Sequence, residues 1–328
     1  MPQKRLYSVT MINFADGLRH LYLYKLNEVD QNTSVGLNNW LTDGSLYYVS
    51  QNQLQNDFTV QTYDYFAFLE PYSHDINRLS CASIESIRDI ERKNWQAKSI
   101  GWNITKFYYS AFFSAHCILK IVGNSLTNID QSSIDKVRRI TSSYGFTYQN
   151  INTGLYCIST NHQTNAFRFH KNPLYDNSHE GLWKYFIHFF TTSQNSVYGQ
   201  LPQAEAQLIV DKMNELLKAM KNWNSQNGNC LSRVRNLVNY SQVYGVWFPY
   251  KEYNKEYEKV YSLLTLHKDN PLNIDLNSYA GRDLLYFVRT CQLINAIDND
   301  LLADLESRHP DNRSFIKKGV RQFQNLYS

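Results

Sequence analysis

Hydrophobic and polar positions follow one rhythm over the first 75 residues and another from about residue 82 onward. The early part carries short runs of aromatic and branched residues, the composition of strands. Tyr7–Ile12, Leu21–Leu26, Leu46–Val49, Phe58–Tyr63 and Tyr65–Leu69 are such runs. Thr42-Asp43-Gly44-Ser45 is a turn signal ahead of the third, and Pro71 closes the last. The pattern predicts a small β-rich module over residues 1–80.

From Ile84, Ile87 and Ile90 the spacing becomes helical. Tyr108, Phe112, Ala115 and Leu119 stand at i, i+4, i+7 and i+11, one face of a helix. Gly123 and Asn124 read as its C-terminal stop, and Asp130 with Ser132 as caps for a helix through Ile134 and Val137. Residues 144–170 return to strand-like runs at Tyr144–Tyr148, Leu155–Ser159 and Ala166–His170. Helical spacing then resumes over 181–191, 203–223, 232–244, 251–266, 283–306 and 313–326. The prediction is an α+β protein: the β-rich module, then a mainly helical domain over 81–328 with a β insertion at 144–170.

Composition narrows the chemistry. Hydrophobic residues make up 43% of the 328, enough for a large core. The 25 Tyr and 17 Phe supply much of it, since aromatics bury large areas. A net charge of +4 permits contact with nucleic acid but falls short of a dedicated DNA binder. Five scattered cysteines, never spaced as CxxC, argue against a zinc site or a disulfide framework and for buried thiols in a reducing compartment. The N-terminal segment lacks the apolar stretch of a signal peptide, and no run is long enough to span a membrane, so a cytoplasmic protein is expected. No Walker, Rossmann or nucleophile-elbow motif is present, and no cofactor is expected.

Two segments carry the most information. The first is Tyr108-Tyr109-Ser110-Ala111-Phe112, within an aromatic helix that continues to His116. The second is Arg235-Asn236-Leu237-Val238-Asn239-Tyr240, running into Gly245-Val246-Trp247-Phe248-Pro249-Tyr250. In this order the pair resembles the HEPN-like helical family, over the part of the chain from about residue 82. The resemblance implies a helical bundle, often dimeric, whose members include metal-independent ribonucleases of toxin, CRISPR and antiphage systems. It implies attack of a ribose 2′-hydroxyl on the adjacent phosphate. An Arg would hold the phosphate charge with its planar fork, and a His would move protons.

The chain departs from that pattern at the last motif position. Tyr240 stands where the family has His, and a phenol with a pKa of about 10 is a poor base at neutral pH. The expectation is therefore a catalytically degenerate subunit that binds RNA or protein within a prokaryotic defence or toxin–antitoxin assembly, with a protein partner or a second copy of itself. Two alternatives stay open: a ribonuclease using Arg235, Asn236 and Tyr240, with His116 as a replacement acid–base group, and a purely structural interaction protein. Tyr109, Trp247 and Tyr250 are candidates for stacking bases.

Plainer roles compete with each of these. Tyr108, Tyr109 and Phe112 at helical spacing suit a core, His116 suits a satisfied core histidine, and Arg235 suits an ion pair. Gly245–Tyr250 suits a loop that ends the helix and packs on the bundle. His179-Glu180 with His188 lacks the HExxH spacing, so no metal site is expected there. His162 and His170 read as surface residues of the insertion.

Overall fold

Five strands form one sheet: β1 (Tyr47–Gln51), β2 (Asp57–Thr62), β3 (Asn124–Ile129), β4 (Gly154–Asn161) and β5 (Ala166–His170). Their order is β1-β2-β5-β4-β3, and each neighbouring pair is antiparallel. This is a computed structural model, and it describes residues 12–30, 35–51, 56–91, 99–145, 151–161, 163–221, 229–241, 243–247, 259–260, 262–277 and 283–326. The architecture is α+β, with helices packed on the sheet and on one another.

The sheet joins parts of the chain that the sequence pattern separates. β2 comes from the N-terminal region and β5 from the insertion, and they pair in register. Phe58 lies opposite Phe169, both fully buried, with stacked rings 4.8 Å apart. The expected division at residue 80 is thus a correction: it falls inside helix α3 (Tyr65–Glu91), and one hydrophobic core spans both sides. Cross-strand burial of large rings outweighs the local change of rhythm that suggested two units.

Two N-terminal expectations fail for local reasons. Tyr65–Leu69 opens α3 instead of a strand, and the helix runs through Pro71. Buried Tyr65, Phe68, Leu69, Tyr72, Ile76 and Leu79 follow helical spacing, which the five-residue aromatic run hid. Leu21–Leu26 links two 3₁₀ turns (Arg19–Leu21 and Leu26–Glu28) instead of forming a strand, with Lys25 left-handed at φ 58° and the Leu23 amide donating to the Ile121 carbonyl at 2.7 Å. The run at Tyr7–Ile12 lies outside the described residues except for Ile12. The sequence pattern marks no strand at Asn124–Ile129, where β3 follows the helix stop at Gly123.

Helices α1 (Phe14–Leu18), α2 (Leu37–Asp43) and α5 (Gln131–Ser143) are short; α5 starts where the sequence places it, with the Asp130 carboxylate accepting from the Ser133 amide at 2.8 Å. Helix α4 (Ile100–Ile121) is central, packed against α3 and α9 (Asp283–Ser307). Small residues let α3 and α4 approach closely: Ser83 lies 3.0 Å from Ser110 and 2.9 Å from Ser114, hydroxyl to hydroxyl. α6 (Ser178–Tyr198) and α7 (Gln203–Met220) form a further packed pair. α8 (Cys230–Asn236) is continued by a π-helical turn, Leu237–Ser241. Most of the helix expected over 251–266 lies outside the described residues. All five cysteines are free thiols. Among the described residues, no helix is long and apolar enough to cross a membrane.

Because Phe58 and Phe169 knit the two halves of the sheet, Phe58→Ala and Phe169→Ala should each cost about 3–5 kcal/mol. The double variant should lose less than the sum, since the rings share one contact. Urea unfolding checks this; additive losses or two separate transitions would contradict a single sheet.

Candidate functional site

Helices α4, α6 and α8 meet at the hydroxyl of Tyr108, which is fully buried. Trp183 of α6 donates its indole N–H to that oxygen at 3.2 Å. Ser232 Oγ of α8 lies 3.0 Å away and His179 Nδ1 of α6 lies 2.9 Å away. The phenol has one proton for these two neighbours, so one of them donates back. Burial raises the Tyr108 pKa, which keeps the group a neutral hydroxyl.

Above the Tyr108 ring sits Arg235. Its guanidinium carbon is 5.1 Å from the Tyr108 ring centre and 6.0 Å from that of Tyr109. The side chain is only 9% exposed, and its Nε–H has no hydrogen-bond partner. Among the described residues no carboxylate forms an ion pair with it. Stacking on tyrosines accounts for about 0.5–2 kcal/mol of favourable energy, less than the several kcal/mol that burying an unpaired charge costs. The guanidinium is thus a cation that faces the cleft with no carboxylate partner among the described residues.

Arg235 opens onto a cleft of about 430 Å³, whose walls include Asn236, Tyr240, Ser232, His179 and Glu180. Glu180 is already paired with Lys184 at 2.9 Å. Asn236 is exposed, and Tyr240 is 76% exposed. An undistorted α-helix would carry residue 240 well around from residue 235. The wider π turn brings Tyr240 back to the same cleft. Two contacts hold that turn: Trp247 Nε1 donates to the Val238 carbonyl at 2.7 Å, and Thr105 Oγ1 donates to Asn239 Oδ1 at 2.8 Å.

Trp247 is thus placed behind the turn rather than in the cleft. Its ring lies on Gly101, where any Cβ would come within 2.4 Å of it, and it meets Trp102 edge-on at 5.5 Å. Tyr250 lies outside the described residues. His116 lines a neighbouring cavity of about 560 Å³, one turn beyond Phe112, and does not line the Arg235 cleft. Burial, followed by the nearby Lys120 charge, lowers its pKa to about 3, so it stays neutral at ordinary pH. Tyr109 lines the same cavity.

His179 is the residue the sequence reading passed over as a site residue. It lines both the cleft and the cavity. The Asn177 side chain caps α6 and accepts from the His179 and Glu180 amides at 3.0 and 3.2 Å, fixing the first turn. Gly181 lets that turn press against the preceding chain, since a Cβ there would meet the Tyr175 carbonyl oxygen at 2.5 Å. The Asn177 cap was a readable signal; its proximity to Arg235, on another helix, was not. Burial lowers the His179 pKa, and the charge of Arg235 lowers it further. An imidazole whose pKa is lowered in this way favours its unprotonated form, which can accept a proton.

The chain matches no protein-family model, no curated protein and no solved structure.

Removing the Arg235 charge removes one of the two causes that depress His179, so Arg235→Met should raise the His179 pKa. NMR titration of the imidazole signals checks this. An unchanged or lowered value would place the two groups farther apart than described.

Proposed function

We propose that this protein binds the phosphate backbone of RNA through Arg235, as a HEPN-like bundle in which the family's histidine position is vacant of a base. The observation that carries the reading is the guanidinium itself: nearly buried, without a carboxylate among the described residues, one N–H unused, and open to a cleft. A phosphodiester supplies the planar oxygen pair that an Arg fork recognises. Exposed Asn236 and Tyr240 at the rim add donors for the same backbone. The motif order on α4 and α8 supports the family kinship, because the aromatic helix lies directly beneath the motif Arg.

A phenol in the family's histidine position is a poor base at neutral pH, which favours binding over cleavage by Arg235 and Tyr240. A second reading, cleavage of the bound RNA, is favoured by one observation: His179 stands at the Arg235 cleft on a different helix. There it would take the 2′-hydroxyl proton as that oxygen bonds to phosphorus, Arg235 would hold the phosphoryl charge, and the P–O5′ bond would break with the departing 5′-oxygen protonated by water. RNA cuts that vanish in both Arg235→Met and His179→Asn would favour this second reading, and intact RNA would favour binding alone.

The binding reading makes a paired prediction. Arg235→Met keeps the buried stem and deletes the unpaired charge, so the variant should be as stable as the parent or more so. Its affinity for single-stranded RNA should fall at least tenfold, and the slope of log affinity against log salt should shrink by roughly 0.7, one contact's worth on a single strand. Thermal melting and fluorescence anisotropy at several salt concentrations check both halves. Lost stability with unchanged affinity would instead make Arg235 a structural residue.

A further inference from the structure

We propose that the 560 Å³ cavity beside the Arg235 cleft receives the base of an RNA nucleotide whose phosphate rests on Arg235. The inference rests on the phosphate reading of that cleft and adds to it what the protein does with the attached base.

The first observation is an aromatic strip. Tyr109, Phe112, Phe113 and His116 stand at i, i+3, i+4 and i+7 of α4, and all four line the cavity. Each is only half-buried, whereas the opposite face of α4 is fully buried in the core. The rings touch in series: Tyr109–Phe113 at 6.3 Å, Phe112–Phe113 at 5.9 Å and Phe112–His116 at 4.8 Å between centres. Such a strip offers π-faces, on which any base can stack.

The second observation is the cavity's size and polarity. Its volume lies within the range of small-molecule pockets, and its floor includes Leu126 of β3 and Leu155 of β4. Polar side chains, among them Asn38, Asn39, Thr127 and Ser178, share the walls with the rings. The buried Lys120 ammonium is paired with Asp75 at 3.2 Å, and the exposed Arg78 guanidinium reaches the same carboxylate at 3.6 Å, so these three side chains carry one net positive charge. His116 is neutral. A planar, partly polar group fits these walls, with aromatic faces on α4 to stack on and amide side chains to meet its edge. On the rim, Asn38 already donates to the Asn128 carbonyl at 3.0 Å, while the exposed Asn39 amide makes no hydrogen bond among the described residues. An amide presents a donor and an acceptor together, the complement of a base edge.

The third observation is continuity. His179 is in the walls of both spaces, its ring 4.6 Å from Phe112. Arg235 lies 6.0 Å from the ring of Tyr109. The cation therefore stands at one end of the aromatic strip, as a phosphate stands at one end of its own nucleotide.

The test uses the full chain and fluorescence anisotropy with five labelled oligomers of equal length: four RNA homopolymers and an abasic ribose-phosphate chain. At least one homopolymer should bind tenfold or more tighter than the abasic chain. Phe113→Ala should remove most of that preference and leave abasic binding unchanged, and Phe113→Leu, which keeps apolar bulk without a π-face, should do the same. Arg235→Met should weaken all five alike. Equal binding of the abasic chain and every homopolymer by the parent protein would overturn the base pocket while leaving the phosphate reading intact. Absence of binding by all five would overturn both.

Discussion

The arrangement of the site depends on one buried contact, the guanidinium of Arg235 laid over the ring of Tyr108. Tyr108 is held in place by its own hydroxyl, which meets Trp183 and His179 of α6 and Ser232 of α8. The ring therefore cannot move without breaking hydrogen bonds to two other helices. What it supports is a charge left unneutralised by the described residues. The protein carries a nearly buried cation at a cleft wall with one N–H unused, and the proposal of an external anion rests on it.

Other features make sense as supports for that contact. The π turn after α8 keeps Tyr240 beside Arg235, and Trp247 and Thr105 satisfy the polar groups the turn would otherwise leave open. Gly101 is small because the Trp247 ring lies on it, and Gly181 is small because the first turn of α6 lies on the Tyr175 carbonyl. That first turn delivers His179 to the Tyr108 hydroxyl. The sheet contributes from the other side: β3 and β4 form the floor of the aromatic cavity, and β4 is anchored through β5 to the N-terminal strands.

Parts of this were legible in the sequence, where the signal is local. The stripe on α4, the cap at Asp130, strands β1, β2, β4 and β5, and the long helix over 283–307 each follow from neighbouring residues. The reading failed where distant residues decide. Tyr65–Leu69 is short and aromatic, and its helical stripe emerges only when Tyr72, Ile76 and Leu79 are counted with it. Pairing of β2 with β5 depends on residues about a hundred positions apart, which no local rhythm reports. In the site, Arg235 and Tyr240 were visible as a motif, but the π turn that puts them on one cleft was not. His116 shared a helix with the aromatic motif yet lines the neighbouring cavity, while His179 reaches the Arg235 cleft from another helix.

The most direct measurement follows the Nε–H proton of Arg235 by heteronuclear NMR, with its signal assigned by loss in the Met variant, while a dinucleotide carrying one phosphodiester is added. An unused donor that meets phosphate should move downfield and saturate. A signal that stays still while other resonances respond would mean that the phosphate binds elsewhere, and that the buried charge has a purpose other than the one argued for it.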